Sequence, residues 1–113
     1  MRSQAELGNE EGLPVTLPEL QTLIRDTYGA KDARRGAEGT FMWFMQEVGE
    51  LATALRSGSA VEKSQEFADV LAWLATLANI AEVDLDAAIA AKYGAGCPGC
   101  GQSPCECARA EKP

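Results

Sequence analysis

Residues 43–73 read WFMQEVGELATALRSGSAVEKSQEFADVLAW, and their spacing predicts two antiparallel helices turning at Ser57-Gly58-Ser59. Before the turn Phe41, Phe44, Met45, Val48, Leu51, Ala52 and Leu55 recur at helical spacing; after it Phe67, Val70, Leu71, Leu74, Leu77, Ala78 and Ala81 do the same. Gly58 stops the first helix, and Ser59-Ala60-Val61-Glu62 has the form of a capping box that opens the second. Glu47 and Glu50 are spaced i, i+3, as are Glu66 and Asp69, so each pair projects from one helix face. The two pairs mirror one another. Glu50 and Glu66 each stand eight residues from Gly58, Glu47 and Asp69 eleven, and Trp43 and Trp73 fifteen. At about 1.5 Å rise per residue these rungs lie about 12, 16 and 22 Å from the turn. The hairpin is therefore expected to carry two rungs of carboxylates with an indole rung above them.

The flanking sequence extends the all-α reading. Thr16-Leu17-Pro18-Glu19 is another capping box, and it predicts a helix from Leu17 to Tyr28 that ends at Gly29. Residues 30–39 (AKDARRGAEG) are charged and glycine-punctuated and read as a connection. Asp84 is placed to cap a short last helix through Leu85, Ala88, Ile89 and Ala91 to Tyr93, closed by Gly94. No strand pattern competes. The expected organisation is a flexible segment over 1–14, a helical domain over 15–94 and a cysteine-rich tail over 95–113.

Composition narrows the function. A net charge of −7 and a pI near 4.5 argue against bulk attraction to a nucleic-acid polymer or an anionic membrane. The chain has no histidine, so a metal or catalytic site must be built from oxygen and sulfur. No uncharged apolar run is long enough to span a membrane and residues 1–14 do not resemble a signal peptide, so a cytoplasmic location is expected. Phe41, Met42, Phe44 and Met45 offer more apolar surface than one hairpin and two short helices can cover, which predicts a homodimer or a dimer of dimers.

On a helical wheel Glu47 and Glu50 flank the apolar stripe of their helix on the same side as Glu66 and Asp69 flank theirs. In an antiparallel pair about 8–10 Å apart these flanks meet, and opposed carboxylates can share an ion. Four unpaired negative charges so close repel, and a cation relieves them. Hard oxygen ligands select Mg²⁺ or Mn²⁺. An ExxE or ExxD pair standing alone is more often a solvated helix face.

Glu47-x-x-Glu50 followed by Glu66-x-x-Asp69 resembles the ExxE…ExxD motif of the MazG-like all-α nucleoside triphosphate pyrophosphohydrolases. The words Glu47-Val48-Gly49-Glu50-Leu51, Asp69-Val70-Leu71, Leu77-Ala78-Asn79 and Val83-Asp84-Leu85, with a later Lys92, extend that resemblance over residues 40–93. It implies that Glu47, Glu50, Glu66 and Asp69 hold Mg²⁺, and that a (d)NTP and water yield a (d)NMP and pyrophosphate. A related phosphoribosyl-nucleotide is the alternative substrate, because a metal site recognises phosphate and says little about the base. Trp43 and Trp73, on the metal flank, are candidates for stacking on a base, with core or dimer packing as the plainer role. Lys31, Arg34, Arg35 and Lys92 are candidate phosphate contacts, and Asn79 is a further candidate from its match to a family position.

The tail holds all four cysteines, Cys97, Cys100, Cys105 and Cys107, in eleven residues. The CPGC knuckle reads as half of a thiolate zinc site and the tight Cys105-x-Cys107 as the other half, so a structural Zn²⁺ is expected; free thiols, disulfides and a site shared between chains are the alternatives. The resemblance does not extend to this tail. A different functional class also fits it: a non-catalytic, zinc-tailed interaction module with the hairpin as scaffold.

Overall fold

The computed structural model describes residues 12–110, and these form three helices: α1 (Leu17–Ser57), α2 (Ala60–Ile80) and α3 (Leu85–Tyr93). Residues 1–11 of the predicted flexible segment and 111–113 of the tail lie outside the described residues. Both capping boxes are formed. Glu19 N–H donates to Thr16 Oγ1 at 3.3 Å while Thr16 N–H donates to Glu19 Oε1 at 2.8 Å, and Ser59 and Glu62 exchange bonds of 3.1 and 2.8 Å in the same way. Asp84 Oδ1 accepts from Ala87 N–H at 3.1 Å and opens α3.

The connection predicted over residues 30–39 is helical instead. Gly29 does not end the first helix; α1 runs on, and its one non-helical residue is Gly36, at φ 78° and ψ 174°. A glycine inside a helix costs about 1 kcal/mol relative to alanine, an amount that tertiary contacts readily offset. Here Asp32 is buried beyond Gly29, as Gln21 and Ile24 are before it. Within Asp32-Ala33-Arg34-Arg35 only Arg34 is an exposed charge, because Arg35 Nη1 donates to buried Asp32 Oδ1 at 2.9 Å and to fully buried Thr40 Oγ1 at 3.1 Å. Arg35 thus clamps both sides of the break. A straight 41-residue helix would be about 62 Å long, whereas the molecule's longest dimension is 42 Å. The left-handed φ at Gly36, which an L-residue rarely adopts, redirects the chain. The N-terminal arm of α1 then packs across the end of α2, while the C-terminal arm forms the hairpin with it.

A polar latch fixes that crossing. Buried Gln21 donates through Nε2 to Asn79 Oδ1 at 3.0 Å and to the Val83 carbonyl at 2.9 Å, and its Oε1 accepts from Leu85 N–H at 2.9 Å. Asn79 returns a bond from Nδ2 to the Gln21 carbonyl at 3.0 Å and also accepts from Arg25 Nη2 at 3.1 Å. Beside the latch α2 ends in a Schellman turn, with Val83 N–H on the Ala78 carbonyl at 2.8 Å, Glu82 N–H on the Asn79 carbonyl at 3.2 Å and Glu82 at φ 60°.

The apolar core within one chain is small. Ile24, Ala54, Ala75 and Ala78 are buried, while Phe41, Met42, Met45, Phe67 and Leu71 are exposed. No helix among the described residues is long and apolar enough to cross a membrane.

Candidate metal centre and cleft

The hairpin brings three carboxylates together. Glu47 from α1 and Glu66 and Asp69 from α2 each offer an oxygen within 4.8 Å of the others. Glu50 stands outside this group; its Oε2 accepts from Gln46 Nε2 at 3.5 Å, and it lines a hollow of about 440 Å³ with Thr53, Ser57, Glu62 and Glu66 on the turn side of the triad. Glu47 and Glu66 are half-buried as residues, but Oε1 of each is closed off from solvent and has no hydrogen-bond partner. A buried carboxylate oxygen without a donor is costly, and two in one acidic cluster are more so. Among the described residues no lysine or arginine forms an ion pair with either. Hard, charged oxygens converging without a proton donor are the donor set of a divalent cation, so these residues fit one.

The electrostatics agree. Burial holds the Glu47 carboxyl above its ordinary range, with the charges of Glu50, Asp69 and Glu66 adding to the shift. Burial likewise raises Glu66, followed by Glu50, Asp69 and Glu62. Raised folded values mean that the folded metal-free chain keeps protons which the unfolded chain releases above about pH 4.3. The contribution of these two groups to the stability of the chelated protein is therefore expected to be full below that pH and to be lost as pH rises through the raised values of Glu47 and Glu66. A divalent cation should cancel the loss. Thermal midpoints measured from pH 4 to 8, with a chelator and then with excess Mg²⁺, check this; parallel curves with and without the ion would contradict it.

Asp69 also opens onto a cleft of about 520 Å³, a size that suits a small-molecule ligand. The N-terminal arm of α1 contributes Ile24, Tyr28, Lys31, Asp32 and Arg35, the C-terminal arm Trp43, and α2 Ala72, Trp73 and Thr76. The indoles of Trp43 and Trp73 stack across the hairpin with ring centroids 6.1 Å apart and planes at 15°. The Arg35 guanidinium sits 4.9 Å from the Trp73 ring centroid. Trp73 is thus engaged by two neighbours, whereas Trp43 is 47% exposed.

Of the other predicted contacts, Lys31 and Arg35 line this cleft and Arg34 does not. Asn79 sits in the Gln21 latch, its side-chain oxygen and nitrogen both engaged there. Lys92 lies on α3 with Nζ 5.7 Å from the Tyr93 ring centroid, and it does not line the cleft. Sequence reasoning missed Tyr28, Asp32 and Thr76 as lining residues. The i, i+3 pair Asp32–Arg35 was the available signal, but only had the segment been read as helix.

The segment matched by the model of the MazG nucleotide pyrophosphohydrolase domain, residues 35–98, takes in the whole hairpin and more than half of the 113-residue chain. The chain belongs to the MazG nucleotide pyrophosphohydrolase family. Its all-helical fold is that of the MazG domain, and all four carboxylates and both tryptophans lie inside the matched segment. Comparison with curated proteins yields no match. The matched segment runs into the first residues of the tail and takes in Cys97, while Cys100, Cys105 and Cys107 fall beyond residue 98.

In that tail the four cysteine sulfurs lie within 4.8 Å of one another. Backbone hydrogen bonds from Cys100 and Gly99 draw the Cys97 thiol below its ordinary range and those from Glu106 and Gln102 draw Cys100 down to about 6, while the neighbouring sulfurs push Cys107 up to about 12. None of the four lines the cleft.

Proposed function

We propose that this chain is a Mg²⁺-dependent nucleotide pyrophosphohydrolase that converts a (d)NTP and water to a (d)NMP and pyrophosphate. One observation carries the reading: the buried, donorless oxygens of Glu47 and Glu66 converge with Asp69, which opens onto an aromatic and cationic cleft. Glu47, Glu66 and Asp69 hold the cation, with Mn²⁺ as the alternative to Mg²⁺. Bound there, it would make water more acidic and neutralise charge on phosphoryl oxygens. Glu50, outside the triad yet close enough to raise both glutamates, accepts the proton of the attacking water. Lys31 and Arg35 meet the phosphate charge that the metal does not. The exposed ring of Trp43 stacks on the base, an interaction of roughly 1–3 kcal/mol that tolerates different bases.

The deciding experiment assays the full chain against a panel of nucleoside triphosphates and phosphoribosyl-nucleotides for pyrophosphate, with and without Mg²⁺. Metal-dependent pyrophosphate from a (d)NTP supports the proposal. Release from the phosphoribosyl compounds alone would move the substrate assignment, and no release from any would remove the enzymatic reading.

The same proposal includes self-association. Phe41, Met42, Met45, Phe67 and Leu71 are exposed apolar side chains on the two hairpin helices, and a second copy covers them. Light scattering at micromolar concentration is expected to give a dimer or a dimer of dimers; a folded, active monomer would contradict it.

A further inference from the structure

We infer that the C-terminal tail is a single-chain zinc knuckle in which Cys97, Cys100, Cys105 and Cys107 form a complete tetrathiolate site separate from the carboxylate centre. A tetrahedral site with Zn–S bonds of about 2.3 Å requires sulfurs about 3.8 Å apart. Here Cys97 Sγ lies 3.8 Å from Cys107 Sγ and Cys100 Sγ 4.0 Å from Cys105 Sγ.

The backbone is already shaped around these sulfurs. Gly99 N–H donates to Cys97 Sγ, Glu106 N–H to Cys100 Sγ and Cys107 N–H to Cys105 Sγ, each at 3.3 Å. Such bonds offset the excess negative charge that four thiolates leave around a dication. The knuckle turn is closed by Cys97 N–H on the Gln102 carbonyl at 3.1 Å and by Gly101 N–H on the Cys97 carbonyl at 2.6 Å. It uses a left-handed Gly101 at φ 75° and a Gly96 at φ 112° whose missing Cβ would lie 3.1 Å from the Gln102 oxygen. No residue from 95 to 110 is buried. Apolar burial therefore does not account for this shape, and a metal cross-link does. Soft thiolates in a tetrahedral array select Zn²⁺ over the Mg²⁺ or Mn²⁺ suited to the carboxylates. With all four ligands in one chain the site needs no partner, and a closed set of four protein ligands leaves no open position for catalysis.

The test uses the full chain purified under reducing, chelator-free conditions. One zinc per chain is expected, together with four thiols that resist a thiol reagent until the metal is chelated. Cobalt(II) exchanged into the site should give the visible and charge-transfer bands of a tetrahedral tetrathiolate complex. Cys100→Ser should hold at least roughly tenfold less zinc, while Ser103→Ala in the same loop holds as much as the parent. Helicity and pyrophosphate release should persist in Cys100→Ser, so a failure of the zinc site and a failure of the hydrolase reading are separately visible. Zinc-free protein with four thiols reacting at once and no cobalt bands would overturn the site. Iron in place of zinc would overturn the metal, and one zinc per two chains would overturn the single-chain assignment.

Discussion

Replacing Glu66 by glutamine is expected to lower pyrophosphate release by more than the roughly 10- to 100-fold that outer-shell changes at metal sites cost. The amide keeps the volume of the carboxylate but removes one charged ligand from the triad with Glu47 and Asp69. Stability should move the other way. In the metal-free chain Glu66 Oε1 is buried without a donor, and burial and neighbouring charge already disfavour its ionised form. A neutral side chain relieves that repulsion, so Glu66→Gln should melt no lower than the parent in the presence of a chelator, while losing the stabilisation that Mg²⁺ gives the parent. A residue with a purely structural role would show the opposite pair of signs. Glu50→Gln supplies the contrast: with Glu50 outside the triad, Mg²⁺ should still stabilise the fold while kcat falls by about 10²- to 10⁴-fold, the range for loss of a general base. Near-parental activity in Glu66→Gln would sink the site assignment.

The second large effect concerns the latch. Gln21→Ala is expected to destabilise the chain by roughly 2–4 kcal/mol, because it removes three hydrogen bonds at once and strands the Val83 carbonyl and the Leu85 N–H in a part-buried crossing. That is a large share of the ordinary 5–15 kcal/mol stability of a domain. Denaturant midpoints followed by helical circular dichroism would measure it, with Thr22→Ala, at an exposed neighbouring position, as the control. A change under about 0.5 kcal/mol would mean that water replaces Gln21 without loss.

What could be read from the chain before its structure depended on the range of the interactions. Caps at Thr16, Ser59 and Asp84 are local devices, each satisfied within three residues, and they mark three helix starts. The mirrored spacing about Gly58 places Trp43 opposite Trp73 and brings three of the four acidic residues into one cluster, because an antiparallel hairpin converts sequence distance directly into height. Gly29 misled because its local preference is overruled by packing that local pattern does not contain. The Gln21–Asn79 contact joins residues 58 apart and has no periodic signature, so Asn79 could be matched to a family position without its partner being visible. Lys92 is a candidate both by charge and by its place in the family resemblance, and its separation from the cleft follows from where α3 is held.

The left-handed joint at Gly36 separates two kinds of charge along the chain. Every carboxylate of the acidic cluster follows it, and both cations of the cleft, Lys31 and Arg35, precede it. The family match begins at residue 35, so the arm that carries Lys31 lies ahead of the matched segment. Rotation about this one residue would change the distance between cations and carboxylates while leaving the spacing within the acidic cluster untouched. The distance from the cleft cations to the carboxylates is therefore set by the backbone at Gly36 and held by the Arg35 guanidinium, which bonds Asp32 before the joint and Thr40 after it.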